Sequence, residues 1–323
     1  MSEWTSHEEK EQDYMPPENR SLPVKWADEA MYAARPITYG GEPVRPKVTL
    51  VSMTANPLRV MAAASELYQG GIYDDPRYIS HDQALKWLDG FKSSKISAPL
   101  EFINLHFFIS GVTRAFTHQL VRQRTAVFVQ ESMRFAVKEN AAFEVPIPPS
   151  LANTEGGQTP GAEDSTQEWQ RNVWDECVSH TAQAYLHLIG SGMPAEEARG
   201  LLPTDITTRI HYHTDLRNLV NQAGMRLCSQ AQAEWKHVWD QFIRAIMTYG
   251  PPEESWQQRE IARLFKPVCY QTGHCGFNGP ADRWCVIRDR VNAHSAAGDA
   301  PDTWTDIDPV EPLHHNAARK PMM

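Results

Sequence analysis

Hydrophobic and polar positions along the chain change period several times, and each change predicts an element. VTLVSM (48–53) is a short apolar, β-branched run that predicts a buried strand. NPLRVMAAASELYQG (56–70) predicts a helix, with Asn56 placed to cap it, Pro57 suited to its first turn and Gly70-Gly71 ending it. HDQALKWLDGF (81–91) predicts a second helix. EFINLHFFI (101–109) has aromatic and branched residues on both parities, which predicts a strand covered on both faces and broken at Gly111. TRAFTHQLVRQR (113–124) returns to helical spacing around Ala115, Leu120 and Val121.

The second half repeats these signals. NVWDECVSHTAQAYLHLIGSG (172–192) predicts an amphipathic helix stopped by Gly190 and Gly192, and Pro194 opens a short helix, AEEARGLL, closed by Pro203. TTRIHYH (207–213) predicts a strand. Thr214-Asp215 can cap a helix expected to continue through QAEWKHVWDQFIRAIMTYG to Gly250-Pro251-Pro252. The stretch 138–170 is polar and rich in Pro, Gly and Asn, longer than compact domains usually leave unstructured. These signals predict an α+β fold with a mixed sheet, long helices and one main core. The expected organisation is a partly ordered arm (1–45, extended at PVRP), a main domain (46–278) with a loop insertion near 138–171, and a turn-rich tail (279–323).

At 323 residues the chain suits one large domain or two small ones, and 41% hydrophobic content is enough for a core. No apolar run approaches a membrane span, and the acidic, polar first twenty residues lack a signal-peptide core, which argues against secretion and membrane insertion. A formal net charge of −9 argues against direct nucleic-acid binding, although a local arginine cluster can still hold a small anion. Five cysteines, an odd and scattered set, fit a reduced cytoplasmic protein.

One such cluster exists. FTHQLVRQRTAVFVQESMRF (116–135) sets Arg122, Arg124 and Arg134 close together, with Ser132 before the last. A helix ending in Arg-Gln-Arg and a following Ser-Met-Arg loop offer guanidinium forks, a hydroxyl and backbone N–H groups, the donors a phosphate needs. The same residues can also be an ordinary basic helix end that complements the macrodipole.

Arg122-Gln123-Arg124, seven residues and then Ser132 resembles the Arg-His-Arg-x7-Ser signature of flavin-dependent thymidylate synthases. APLE (98–101), ARGLLP (198–203), DLRNLVNQAGMRL (215–227), QAQAEW (230–235) and REIARLFKPVC (259–269) resemble that family's other blocks in its order. The resemblance implies that Gln119, Arg122, Arg199 and the loop Gln130, Glu131, Ser132, Met133 and Arg134 contact the nucleotide. It implies that Arg226 polarises the pyrimidine near N3, as the catalytic group. Ala98, Arg122, Gln123, Arg124, Arg217 and Asn221 match flavin contacts. It further implies FAD, methylenetetrahydrofolate as carbon donor, NADPH as reductant, and a homotetramer with shared sites. Arg217 and Asn221 share a helix face, whereas Arg226 lies nine residues on, about half a turn of azimuth away.

Several family positions differ. Gln123 stands for the signature histidine, Val127 for a serine, Val129 for a frequent polar residue and Gln130 for a glutamate. Asp215 replaces a frequent asparagine, Gln230 a frequent histidine, and Ile96 and Phe102 stand where histidines are usual. Conversion of dUMP to dTMP is the expected reaction. Alternatives are 5-hydroxymethylation of dUMP or dCMP on the same scaffold, and a nucleotide-binding homologue without turnover. Ser132 has no His–Asp partner pattern, so phosphate or backbone bonding suits it better than nucleophilic attack. Cys269, His274, Cys275 and Cys285 lack paired C-x2-C knuckles, and no metal is expected. His211 and His213 alternate on one strand face as a satisfied pair or a pocket wall. Trp235 and Trp239, at i,i+4, are expected in the core or at a subunit interface.

Overall fold

The computed structural model describes residues 37–39, 42–44, 46–93, 96–148, 151, 166–228, 231–250 and 255–272. The expected tail at 279–323, most of the arm, and His274, Cys275 and Cys285 lie outside them. Within the arm, β1 (Ile37–Tyr39) and β2 (Glu42–Val44) pair antiparallel.

The core is built on a four-stranded sheet of β3 (Lys47–Met53), β4 (Asn104–Thr113), β5 (Val127–Gln130) and β6 (Thr207–Asp215), in the order β3-β4-β6-β5. Each of these ladders is antiparallel, where a mixed sheet was expected. Gly111 does not end β4. It adopts φ 68° inside a bulge between Ser110 and Val112, a left-handed conformation open to glycine, and the strand continues to Thr113.

Helices cover one face of this sheet. The α-helices among the described residues are α1 (Pro57–Glu66), α2 (His81–Ser93), α3 (Arg114–Leu120), α4 (Thr166–Gly190), α5 (Ala195–Ala198), α6 (Leu216–Arg226), α7 (Ala233–Met247), α8 (Ser255–Arg263) and α9 (Val268–Thr272), of which α4 and α5 belong to a separate, smaller core. Phe107 on β4 meets Phe242 on α7 edge to face at 4.7 Å, and Trp239 packs on Phe265 at 5.2 Å. Trp235 and Trp239 are fully buried, so both tryptophans are core residues. Burying aromatic faces of this size dominates the stability of such a core.

The other sheet face, expected to be covered, carries partly exposed His106 and Phe108 and exposed His211, His213, Val127 and Val129. His106 and His211 bond ring to ring at 2.9 Å. Burial, with His211 and His213 beside it, pushes the His106 imidazole below its ordinary pKa.

Three helix boundaries matter for the site. The helix predicted to run unbroken from Asp215 to Gly250 is two helices: α6 ends at Arg226 and α7 begins at Ala233. Asp215 does cap α6, accepting from Asn218 N–H at 2.9 Å. The helix predicted to reach Arg124 stops at Leu120, which leaves Arg122, Gln123 and Arg124 in a turn before β5, a strand the sequence reading did not anticipate. Asn56 makes no side-chain cap. It sits at φ 48°, and Gln257 on α8 accepts from Leu58 N–H at 2.9 Å in its place. The first turn of α1 is thus closed by a residue about two hundred positions away.

A second, smaller core joins the loop after β5 to α4 and α5 through Met133, Ala141, Val145, Ala182, Tyr185, Ala198 and Ile206. Helix α4 begins at Thr166, inside the stretch predicted to be loop. Among the described residues, no helix is long and apolar enough to cross a membrane.

Candidate active site

The break between α6 and α7 brings Arg226 against the end of α3. Gln119 Oε1 accepts from Arg226 Nη1 at 2.9 Å and from Trp235 Nε1 at 3.0 Å. The Arg226 guanidinium lies over the Trp235 ring, 4.7 Å from its centroid. Burial, with Arg122 nearby, lowers the Arg226 pKa, and its buried Nε has no hydrogen-bond partner among the described residues. An unpaired buried donor costs about 1–3 kcal/mol, so it is unusual unless a ligand completes it.

Behind Gln119 lies a buried polar group that the sequence reading did not single out. Glu234 accepts from Thr113 N–H at 2.7 Å and from its hydroxyl at 2.6 Å. Thr113 is also the N-cap of α3, accepting from Phe116 N–H at 3.0 Å. Burial pushes the Glu234 carboxyl up to about 7 against the opposing effect of the Thr113 bonds.

The predicted phosphate loop follows β5. Gln130 is turned inward, donating to Thr117 Oγ1 at 2.9 Å and Thr208 Oγ1 at 3.3 Å. Glu131 N–H bonds Arg209 O at 2.9 Å, and its carboxylate meets Lys138 Nζ at 2.9 Å. Lys138 also reaches Glu144 at 2.8 Å and is almost wholly buried, which pins the loop's far side. Met133 is buried in the smaller core. Ser132 Oγ accepts from Arg134 N–H at 3.3 Å, so the hydroxyl braces the turn. Arg134 is half exposed and bonds Glu196 through Nε at 2.8 Å and Nη2 at 2.7 Å.

Arg114 was missed by the sequence reading. It donates to Glu131 O at 3.4 Å, and burial together with Arg199 lowers its pKa. Arg199 itself bonds Glu196 O at 3.1 Å. Arg114, Arg134 and Arg199 therefore gather beside one loop, although 85 residues separate the first from the last.

Of the predicted flavin contacts, Arg122 lies near Arg226. Ala98, Arg122, Arg124 and Asn221 are exposed. Arg217 is partly exposed and pairs with Glu101. Gln123, expected among the flavin contacts, instead has both ends of its amide engaged internally: Tyr212 OH donates to its Oε1 at 2.6 Å, and its Nε2 donates to Thr214 Oγ1 at 3.1 Å. Among the described residues, no group of three or more His, Cys, Asp or Glu is placed to hold a metal ion.

Comparison with known proteins bears on this arrangement. The family model described as "Thymidylate synthase complementing protein" matches residues 49–251. A flavin-dependent thymidylate synthase of Geobacter sulfurreducens is 30% identical over 235 residues, covering 72% of this chain and 92% of the relative. That of Pyrococcus furiosus is 29% identical over 238 residues, covering 71% and 88%. Among solved structures, the UMP/dUMP methylase PolB of Streptomyces cacaoi bound with 5-Br dUMP has the same fold, with a TM-score of 0.52 at 22% identity over 68% of this chain and 94% of that one.

Proposed function

Since this chain belongs to the thymidylate synthase complementing protein family, we propose that it transfers a one-carbon unit to C5 of a pyrimidine deoxynucleoside monophosphate, converting dUMP to dTMP with FAD, methylenetetrahydrofolate and NADPH. The single observation that carries the reading is Arg226. It is a partly buried cation anchored by Gln119, stacked on Trp235, with a buried N–H left without a partner.

C5 of a uracil is a weak nucleophile, and a fixed positive charge at the O2/N3 side stabilises the negative charge that develops there as C5 attacks. Arginine suits this role because its guanidinium remains protonated when desolvated. Gln119 Oε1 accepts from Nη1, which fixes the plane of the guanidinium and leaves other N–H groups for the pyrimidine. Trp235 excludes water from one face.

The phosphate belongs to the loop Gln130–Arg134 with Arg199, and Arg114 joins them. Glu196 now occupies Arg134, so nucleotide binding exchanges a carboxylate for a phosphate on the same fork. Gln130 and Met133 act indirectly, by holding the loop's shape from within.

FAD fits the exposed guanidinium groups of Arg122 and Arg124, which can neutralise its diphosphate, together with Ala98, Arg217 and Asn221. When bound, the flavin supplies the hydride that completes the methyl group. Gln123 supports this surface from behind, by tying the Arg-Gln-Arg turn to Tyr212 and Thr214.

The exposed face of the sheet, with Val127 and Val129 more than 60% exposed, supports a homotetramer in which subunits cover one another. Light scattering on the purified protein tests it, and a monomer at micromolar concentration would contradict it. The proposed reaction is tested by purifying the protein, loading it with FAD, following the flavin spectrum on addition of dUMP, and then supplying methylenetetrahydrofolate and NADPH. A spectral change and a product heavier by CH2 are expected. A protein that cannot be loaded with FAD would overturn the reading.

A further inference from the structure

We infer that Glu234 is a positioning residue for Arg226: it fixes, through the amides of Gln232 and Gln119, which way the group next to the guanidinium points. The proposal rests on Arg226 having the role given above. Glu234 Oε2 accepts from Gln232 Nε2 at 3.4 Å, Gln232 Oε1 accepts from Gln119 Nε2 at 2.5 Å, and Gln119 Oε1 accepts from Arg226 Nη1 and Trp235 Nε1.

The order of donors and acceptors in this relay is dictated by chemistry. A guanidinium and an indole N–H can only donate. Gln119 must therefore turn its oxygen toward them and its nitrogen toward Gln232. Gln232 in turn must offer its oxygen to Gln119 and its nitrogen to whatever lies beyond. A relay of two amides with this polarity has to end on an acceptor. Above about pH 7, where Glu234 is ionised, its carboxylate is acceptor-only and ends the relay.

The rest of its surroundings prevent a neutral amide from doing the same work. Thr113 N–H donates to Oε1 and can do nothing else, so at position 234 a glutamine must keep its oxygen on that side. Its NH2 then faces the NH2 of Gln232, donor against donor. Either both amides of the relay turn over, which sets the NH2 of Gln119 against Arg226 and Trp235, or the relay parts. In both cases the disturbance reaches Arg226, although Glu234 itself does not touch it. Moving the carboxylate one step along repairs the polarity. With Gln232→Glu and Glu234→Gln combined, the carboxylate at 232 accepts from both neighbours and Gln119 again presents its oxygen to Arg226.

The test uses the full-length protein with two readouts. The first is the indole 15N–1H resonance of Trp235, assigned by its loss in Trp235→Phe, and it requires neither flavin nor nucleotide. The second is the single-turnover rate of the FAD-loaded protein with dUMP, methylenetetrahydrofolate and NADPH. Glu234→Gln should displace the Trp235 resonance and slow turnover about tenfold or more, the effect of losing one or two hydrogen bonds. The Q232E/E234Q protein should move both readouts back toward wild type, which a merely structural role would not produce. An unmoved resonance in Glu234→Gln, or a double variant no better than the single one, overturns the proposal. Should Glu234→Gln not fold, Gln232→Leu cuts the relay while leaving both Thr113 bonds in place. It should displace the same resonance, and an unmoved one is equally decisive. A wild-type protein without turnover would count against the proposed reaction alone, since the resonance still reports on the relay.

Discussion

The two ends of the candidate nucleotide site are built on opposite plans. Around Arg226 the polar groups are buried, their partners are fixed in a directional relay, and one donor is left over. Around Arg134 the charges are half exposed, and the arginine is already matched by Glu196. The first end is preorganised and resists change. The second can trade one anion for another at little cost, because an exposed ion pair contributes only about 0–1 kcal/mol. Preorganised charge is what accelerates a reaction, whereas an exchangeable pair suits capture and release.

Breaking the buried end should have the largest effect. Arg226→Ala should lower single-turnover rate on the order of 10²–10³-fold, as for a lost oxyanion donor, while changing dUMP affinity much less. Stopped-flow absorbance of the bound flavin measures both quantities. A variant that binds poorly but turns over normally would make the two ends alike and the contrast false.

Next in size is the pH dependence of stability contributed by Glu234. Its carboxyl sits near 7 in the folded protein against an ordinary 4.5, chiefly through burial, with Asp205 adding to the rise. The folded state therefore holds a proton that the unfolded chain has released, so this group's contribution to stability falls as pH rises from about 4.5 to about 7 and is level above. The change is at most about 3 kcal/mol at 1.36 kcal/mol per pH unit. Urea titrations across this range should show the slope in the wild type and a flatter one in Glu234→Gln. Equal slopes would mean that Glu234 is not the buried titrating group.

At the exposed end, Arg134→Ala should weaken dUMP binding by about 1.5–3 kcal/mol with turnover of bound substrate largely retained. The smallest effect sharpens the contrast. Glu196→Gln removes the competing carboxylate, so dUMP should bind tighter by no more than about fivefold, in keeping with an exposed pair. Calorimetry with dUMP reads both variants. Weaker binding by Glu196→Gln would mean that Glu196 positions Arg134 and does not compete for it.

The sequence disclosed these two ends unequally. The arginines and Ser132 lie in contiguous blocks whose order carries the resemblance, so Arg122, Arg124, Arg134, Arg199, Arg217 and Arg226 could be named from it. The capping signal at Asp215 also held, because a cap is a local interaction, whereas the one at Asn56 did not. What stayed hidden depends on contacts distant in the chain. Arg114 reads as an ordinary helix residue until α3 docks beside Arg199, and Glu234 reads as one residue within the unbroken helix expected from Asp215. Gln257 closing α1 is invisible for the same reason. The unbroken helix predicted from Asp215 failed where it mattered most: the break between α6 and α7 goes with Trp235 under the Arg226 guanidinium and Gln232 against Gln119. The turn at 121–126 likewise separates the arginine pair from α3, and helical spacing alone did not show it.

The most direct test of the central claim is the mass of the product formed by the FAD-loaded protein from dUMP, and separately from dCMP, with methylenetetrahydrofolate and NADPH. The expected result is a gain of CH2 on dUMP, abolished or slowed at least a hundredfold in Arg226→Ala. A gain of CH2O on either nucleotide would instead identify a hydroxymethylase, and no mass change on either, with dUMP still bound, would contradict the assignment of a C5 methyl transfer to this site.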